Sequence, residues 1–234
     1  MKCLLLLLWC CLMTSTVLSK PLSTSSDTTR TPDWLLEKHR ALSLTALPIA
    51  THRAHFRFST GGCLVEGWRE ANGAFAGRLV LWTEEVSPGD EVPTHRVHQG
   101  GYPLDSTTVR GLFGLLKTWR MRALPDGDDI AGWQPTLDGV LYTLEYATPT
   151  GYAVKSYANP ASQGALPEAG RVLGFERQVF SAVQLPSHLP AFIQGIPFQC
   201  YSTSNGSSTT CRILTNTELG AYKQERNRYR RTLK

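Results

Sequence analysis

The segment 198–214, FQCYSTSNGSSTTCRIL, constrains this chain of 234 residues more than any other stretch. Asn205-Gly206 stands at its centre, and Asn-Gly is the preferred pair for a two-residue type I′ hairpin turn because both central residues need positive φ. With that turn, residues whose numbers sum to 411 face each other, and Cys200 and Cys211 are such a pair. Directly opposed residues have Cα atoms about 5.5 Å apart, inside the range that a disulfide accepts. The segment is therefore read as an antiparallel ribbon closed by Cys200–Cys211, with a pair of buried thiols as the alternative. Cys63 is then left over in the remainder of the chain. Burial as a small hydrophobe is the simplest expectation for it, against an intermolecular bridge or a reactive thiol. Asn205-Gly206-Ser207 also fits a glycosylation acceptor.

Further turn signals extend the hairpin theme. Asn72-Gly73 separates Leu64–Arg69 from Phe75–Glu84, and Thr148-Pro149-Thr150-Gly151 separates Val140–Ala147 from Tyr152–Ala158. A type I turn with a Gly bulge at the second site would set Glu145 opposite Lys155 as a cross-strand ion pair. Residues 52–59 alternate, with Ala54, Phe56 and Phe58 on one face and Arg53, His55 and Arg57 on the other, as in a half-buried strand. Helices are expected from Pro32 to about Leu44, anchored by Trp34 and Leu35 behind a Thr31 cap, and after an Asp105 or Ser106 cap. A third runs from Pro167 to Val183, and a last one follows the capping box Thr215-x-x-Glu218. Hairpins interleaved with helices, without βαβ alternation, define an α+β chain: a mostly antiparallel sheet carrying three to four helices.

The first 19 residues, MKCLLLLLWCCLMTSTVLS, place one Lys before an apolar run of about 11 residues, too short for the roughly 20 that span a bilayer. Val17 and Ser19 suit cleavage before Lys20, so 1–19 is read as a signal peptide and the mature protein as secreted or periplasmic, not integral to a membrane. Residues 20–31, rich in Ser and Thr, are read as a flexible leader, 32–222 as one globular domain and 223–234 as a basic helix end or tail.

The net charge of +5 is local. Lys223, Arg226, Arg228, Arg230, Arg231 and Lys234 oppose the single acid Glu225 in the last twelve residues, and Lys2 lies in the leader; the chain between carries −1. Those six cations are candidate contacts to an anionic surface or acidic partner, while a chain so nearly neutral elsewhere has no basic stripe suited to nucleic acid.

Candidate chemistry is sparse. The pentapeptides THRAH (51–55) and THRVH (94–98) hold His52, His55, His95 and His98, a possible metal set if one His of each met across paired strands. On a strand, however, positions i and i+3 point to opposite faces, so solvated His beside Arg is the simpler expectation. Asp126-Gly127-Asp128-Asp129 resembles a fragment of a calcium loop, but lacks the acid of position 12 and suits a solvated turn better. Asp138 and Glu145 stand over 20 Å apart along a strand at about 3.3 Å per residue, too far to act on one bond. No nucleophile elbow, HExxH, Walker loop or dinucleotide fingerprint occurs, and nothing forces Cys63 beside a His, so no catalytic residue and no cofactor is assigned. Trp133, Tyr142, Tyr146, Tyr152 and Tyr157 suit either a sheet core or contact with a peptide or saccharide. These features favour a non-catalytic binding or interaction protein, an inhibitor or immunity-type partner of a secreted enzyme included, its ligand an unknown protein or saccharide. The alternative is a small exported hydrolase or metal-dependent enzyme using the THRxH histidines.

Overall fold

The computed structural model describes residues 31–47, 52–87, 94–136, 139–203 and 208–232. The signal-peptide reading, all of the leader but Thr31, Asp138, the Asn205-Gly206 turn and Lys234 lie outside them.

An α+β architecture is present. Six antiparallel strands, β1 (Ala54–Thr60), β2 (Cys63–Arg69), β3 (Phe75–Glu84), β4 (Val97–Leu104), β5 (Leu141–Thr148) and β6 (Gly151–Ala158), form one sheet in the order β4-β3-β2-β1-β5-β6. A separate ribbon pairs β7 (Cys200–Thr203) with β8 (Ser208–Cys211). The α-helices are α1 (Asp33–Ala41), α2 (Ser106–Thr118), α3 (Pro167–Ala182), α4 (Leu185–Gly195) and α5 (Asn216–Thr232).

Register follows the turns. Gly61 and Gly62 both adopt positive φ between β1 and β2, as a type I′ turn demands. They set Arg57 opposite Glu66 and Phe58 opposite Val65. The β5–β6 hairpin corrects the sequence reading: Thr148 pairs with Gly151, leaving a two-residue turn, so Glu145 opposes Val154 and Lys155 opposes Leu144. A one-residue slip turns a side chain to the other face of a sheet. Glu145 therefore points away from Lys155, whose ammonium donates to the Arg122 and Leu124 carbonyls instead.

Both faces of the sheet are covered. On one, Phe56, Phe58, Val65, Leu79, Leu81 and Leu144 pack with Leu112 and Leu116 of α2 and Val172, Phe175 and Val179 of α3. The approach is close enough that Gly67 and Gly77 are required: a Cβ on Gly67 would lie 2.7 Å from the Phe56 ring, and one on Gly77 2.8 Å from Val109 of α2. Asp105 caps α2 by accepting from the Thr107 and Thr108 amides, and Thr215 and Glu218 close the capping box of α5. Across the other face lie α1 and the chain after it, where Leu42 and Leu44 meet Leu64 and Val80.

Helix α1 is shorter than its sequence suggests. It ends at Ala41 because Ser43 turns into the left-handed region, and its N-cap falls on Pro32, which supplies no side-chain cap. Leu35 is its buried anchor, whereas Trp34 is 42% exposed. Helix α4, with Pro186 in its first turn and Pro190 inside it, is an element that the pattern did not reveal.

Candidate ligand cleft and buried charge row

Four strands carry a row of alternating charge beneath α1. Register places Arg78, Glu66, Arg57 and Glu145 side by side on β3, β2, β1 and β5. Glu66 accepts from Arg57 Nε at 2.6 Å, Arg78 Nε at 2.7 Å and His55 Nε2 at 2.9 Å, and Arg57 donates a further bond to the Thr45 carbonyl. Glu145 is held by His39 Nε2 and the Tyr152 hydroxyl, each at 2.9 Å. Burial alone would raise the Glu66 carboxyl; the His55 hydrogen bond and the Arg57 and Arg78 charges override it and hold the pKa down at about 2. His55 is pushed below its ordinary value by burial, against the pull of Glu66. The row is thus a closed structural network: its two carboxylates are occupied from several sides.

This corrects the reading of the β1 face that carries Arg53, His55 and Arg57. His55 and Arg57 are buried, because α1 roofs the sheet there. His52 stacks on Trp68 and bonds Glu70 at 3.0 Å, His95 pairs with Glu84 at 2.9 Å, and His98 lies against Phe192. Strands β1 and β4 are separated by β2 and β3, so the two pentapeptides do not meet across paired strands. Among the described residues no group of three or more His, Cys, Asp or Glu side chains is arranged for a metal ion.

The aromatic candidates divide between the faces. Tyr142 and Tyr157 are core residues, Trp133 packs on Tyr157 and donates to the Ala158 carbonyl, and Tyr146 packs against the same core beneath Arg122. Tyr152 lies on the opposite face with Glu145. They make no common platform. Asp126 spends its carboxylate on the amides of Asp128 and Ser156, which fixes a short 3-10 turn.

Of the basic C-terminal residues, Lys223, Arg228 and Arg231 are exposed, and Arg230 is half-buried. Arg226 is buried with Tyr222 against Glu85, and donates to Ser87 at 2.6 Å. Its charge is answered inside the fold. Cys200 and Cys211 are bonded as register partners, and Cys63 is a buried thiol pushed up to about 12 by burial and Glu176, despite Lys38.

A separate concavity involves few of these candidates, Cys63, His95 and Tyr142 among them. A cleft of about 1420 Å³ opens where the Gly61-Gly62 turn, α1, the end of β3, α3, α4 and the β7–β8 ribbon converge. Leu81, Phe180, Leu185, Phe192 and Ile196 form much of its wall. Of the four large apolar side chains left substantially exposed among the described residues, Trp34, Leu189 (36%) and Ile193 (45%) line it, and Ile213 does not. Polar side chains interrupt that wall, Lys38, Glu84, Glu85, His95, Glu176 and Ser202 among them. Lys38 enters from α1 with its Nζ 4.6 Å from the Trp82 ring centroid. Glu176, whose carboxyl burial raises, is hydrogen-bonded with Tyr142, itself pushed up to about 12 by burial and Glu176. The Cys63 thiol faces this cleft protonated at neutral pH, so it is no nucleophile there.

The chain matches no protein-family model and no curated protein sequence. No helix among the described residues is long and apolar enough to cross a membrane.

Proposed function

We propose that this chain is an exported binding protein that takes an apolar or amphipathic ligand into the cleft beside α4. The observation that carries the reading is the convergence of Trp34, Leu189 and Ile193 on that single cleft. Large apolar side chains left in water cost free energy, and a concave site that combines apolar walls with polar groups is the usual form of a small-molecule pocket. The occupied carboxylates of the charge row and the protonated Cys63 supply no activated nucleophile or acid–base pair beside it, which favours binding over catalysis. The apolar run from Cys3 to Met13 behind Lys2 and the Cys200–Cys211 bridge support export.

The uncharged polarity probe Nile red tests the site. Saturable, blue-shifted fluorescence is expected from the wild type and at least a fivefold weaker affinity from Leu189→Glu/Ile193→Glu. Equal binding by both proteins, or no saturable binding, overturns the cleft. Terminal sequencing of secreted material tests export: a mature start at Lys20 is expected, and retention of Met1 overturns it.

A further inference from the structure

We infer that the cleft ligand is an anionic amphiphile, a long-chain carboxylate whose head group is received by Lys38 while its hydrocarbon tail covers Leu189 and Ile193. The inference rests on the cleft being a ligand site. Its own support is the one cation in the wall that lacks a carboxylate partner. Among the described residues no carboxylate oxygen lies within 4.0 Å of Lys38 Nζ, whose contacts are the Ser59 hydroxyl at 3.4 Å and the face of Trp82.

The acids nearby are already engaged. Glu145 is taken by His39 and Tyr152, Glu84 by His95, and Glu85 by Tyr222 and Thr94. Glu176 is hydrogen-bonded with Tyr142, and burial raises its carboxyl pKa. His95, the other basic residue of the wall, is paired with Glu84.

An ammonium has three donors and no acceptor, so Lys38 retains bonding capacity toward an incoming anion. A half-buried cation among apolar groups is poorly solvated; burial lowers its pKa to about 8, with Glu145 and Cys63 opposing. A carboxylate would restore the lost solvation through a charge-assisted hydrogen bond. The same head group on a hydrocarbon tail also removes Leu189 and Ile193 from water. A neutral amphiphile gains only the second term, and a soluble anion only the first.

The test compares hexadecanoate, below its critical micelle concentration, with hexadecan-1-ol by displacement of Nile red from the full mature protein. A charge-assisted bond contributes enough to make the carboxylate about tenfold tighter than the alcohol. Lys38→Met should bring the two ligands to equal affinity, and Lys38→Arg should keep the preference. If Lys38→Met does not fold, Lys38→Gln takes its place. A wild type without the preference, or a Lys38→Met protein that keeps it, overturns the carboxylate inference and leaves the cleft intact. Absence of saturable Nile red binding overturns the cleft itself. A dimer in sedimentation that dissociates on Ile193→Glu and never takes up hexadecanoate assigns the cleft to a second copy and overturns the inference.

Discussion

Glu66 stands directly opposite Arg57 across β2 and β1, accepts its Nε at 2.6 Å, and both side chains are almost wholly removed from solvent. A buried ion pair of this kind owes little net stability to its own attraction, because desolvation offsets the Coulomb gain. Breaking it by removing one partner is another matter. Glu66→Ala would leave Arg57 charged beneath α1 and should destabilise the protein by about 3–5 kcal/mol in urea denaturation. The double replacement Arg57→Met/Glu66→Leu should recover most of that loss. A double variant no better than Glu66→Ala would show that the charges hold the sheet together rather than merely satisfy each other.

Acid should unfold the protein through the same carboxylate. The Glu66 pKa is about 2 in the fold against 4.5 in an ordinary glutamate. A depressed carboxyl contributes stability that is present above the unfolded value, here about pH 4.5, and is lost as the pH falls toward 2. His55, lowered by burial, adds a loss of the same sign that begins below its ordinary value of 6.5, since the unfolded chain takes up the proton more readily. Together they predict a free energy of unfolding that declines from about pH 6.5 downward and more steeply below 4.5. Glu66→Gln should flatten the lower part of that curve. An unaltered slope in Glu66→Gln would assign acid sensitivity to other groups.

Helix α5 is fastened by its buried polar residues more than by its apolar ones. Glu85 receives the Tyr222 and Thr94 hydroxyls, and Arg226 lies 3.5 Å from the same carboxylate. Tyr222→Phe withdraws one donor from a buried acceptor, which costs about 1–3 kcal/mol. The loss should be local: amides of α5 should exchange faster with deuterium while those of β1 and β2 keep their protection. Uniform acceleration across the sheet would mean that α5 is not a separable unit.

Much of this architecture is legible in the residues, and the gaps have physical causes. The caps at Asp105 and Thr215, the α3 stripe and the Cys200–Cys211 register are local or symmetric about a turn, so spacing suffices to find them. The sequence makes the face of β1 carrying His55 and Arg57 read as solvated, because period-2 alternation distinguishes apolar from polar, not outside from inside. Pairing around Gly61-Gly62 makes Arg57 and Glu66 cross-strand partners, but such a pair suits a solvated face equally well, so only the placement of α1 reveals that this one is buried. The neighbour of Glu145 turns on one residue of turn length, because a two-residue turn pairs it with Val154 and a longer one with Lys155. The cleft could not be seen at all. It draws on α1, the Thr60–Cys63 turn, β3, α3, α4 and the ribbon, and α4 carries two prolines that make its helical period hard to recognise.

The ribbon gives the last prediction. Four residue pairs join β7 to β8, too few for an isolated two-stranded element to persist in water. Two supports hold it: the Cys200–Cys211 bond, and main-chain contacts to the end of β3, where Glu85 bridges Tyr201 and the Val86 amide donates to the Cys200 carbonyl. Closing a loop of this length stabilises by about 2–3 kcal/mol in the chain-entropy description. Cys200→Ser/Cys211→Ser should lower stability by that amount in denaturant, and a thiol reductant should do the same to the wild type but nothing to the variant. Because Tyr201, Ser202, Thr209 and Thr210 line the cleft, the variant should also bind Nile red more weakly, in proportion to how far the ribbon is loosened. If affinity survives while stability falls, the wall formed by α3 and α4 holds the ligand by itself, and the ribbon is a brace rather than part of the site.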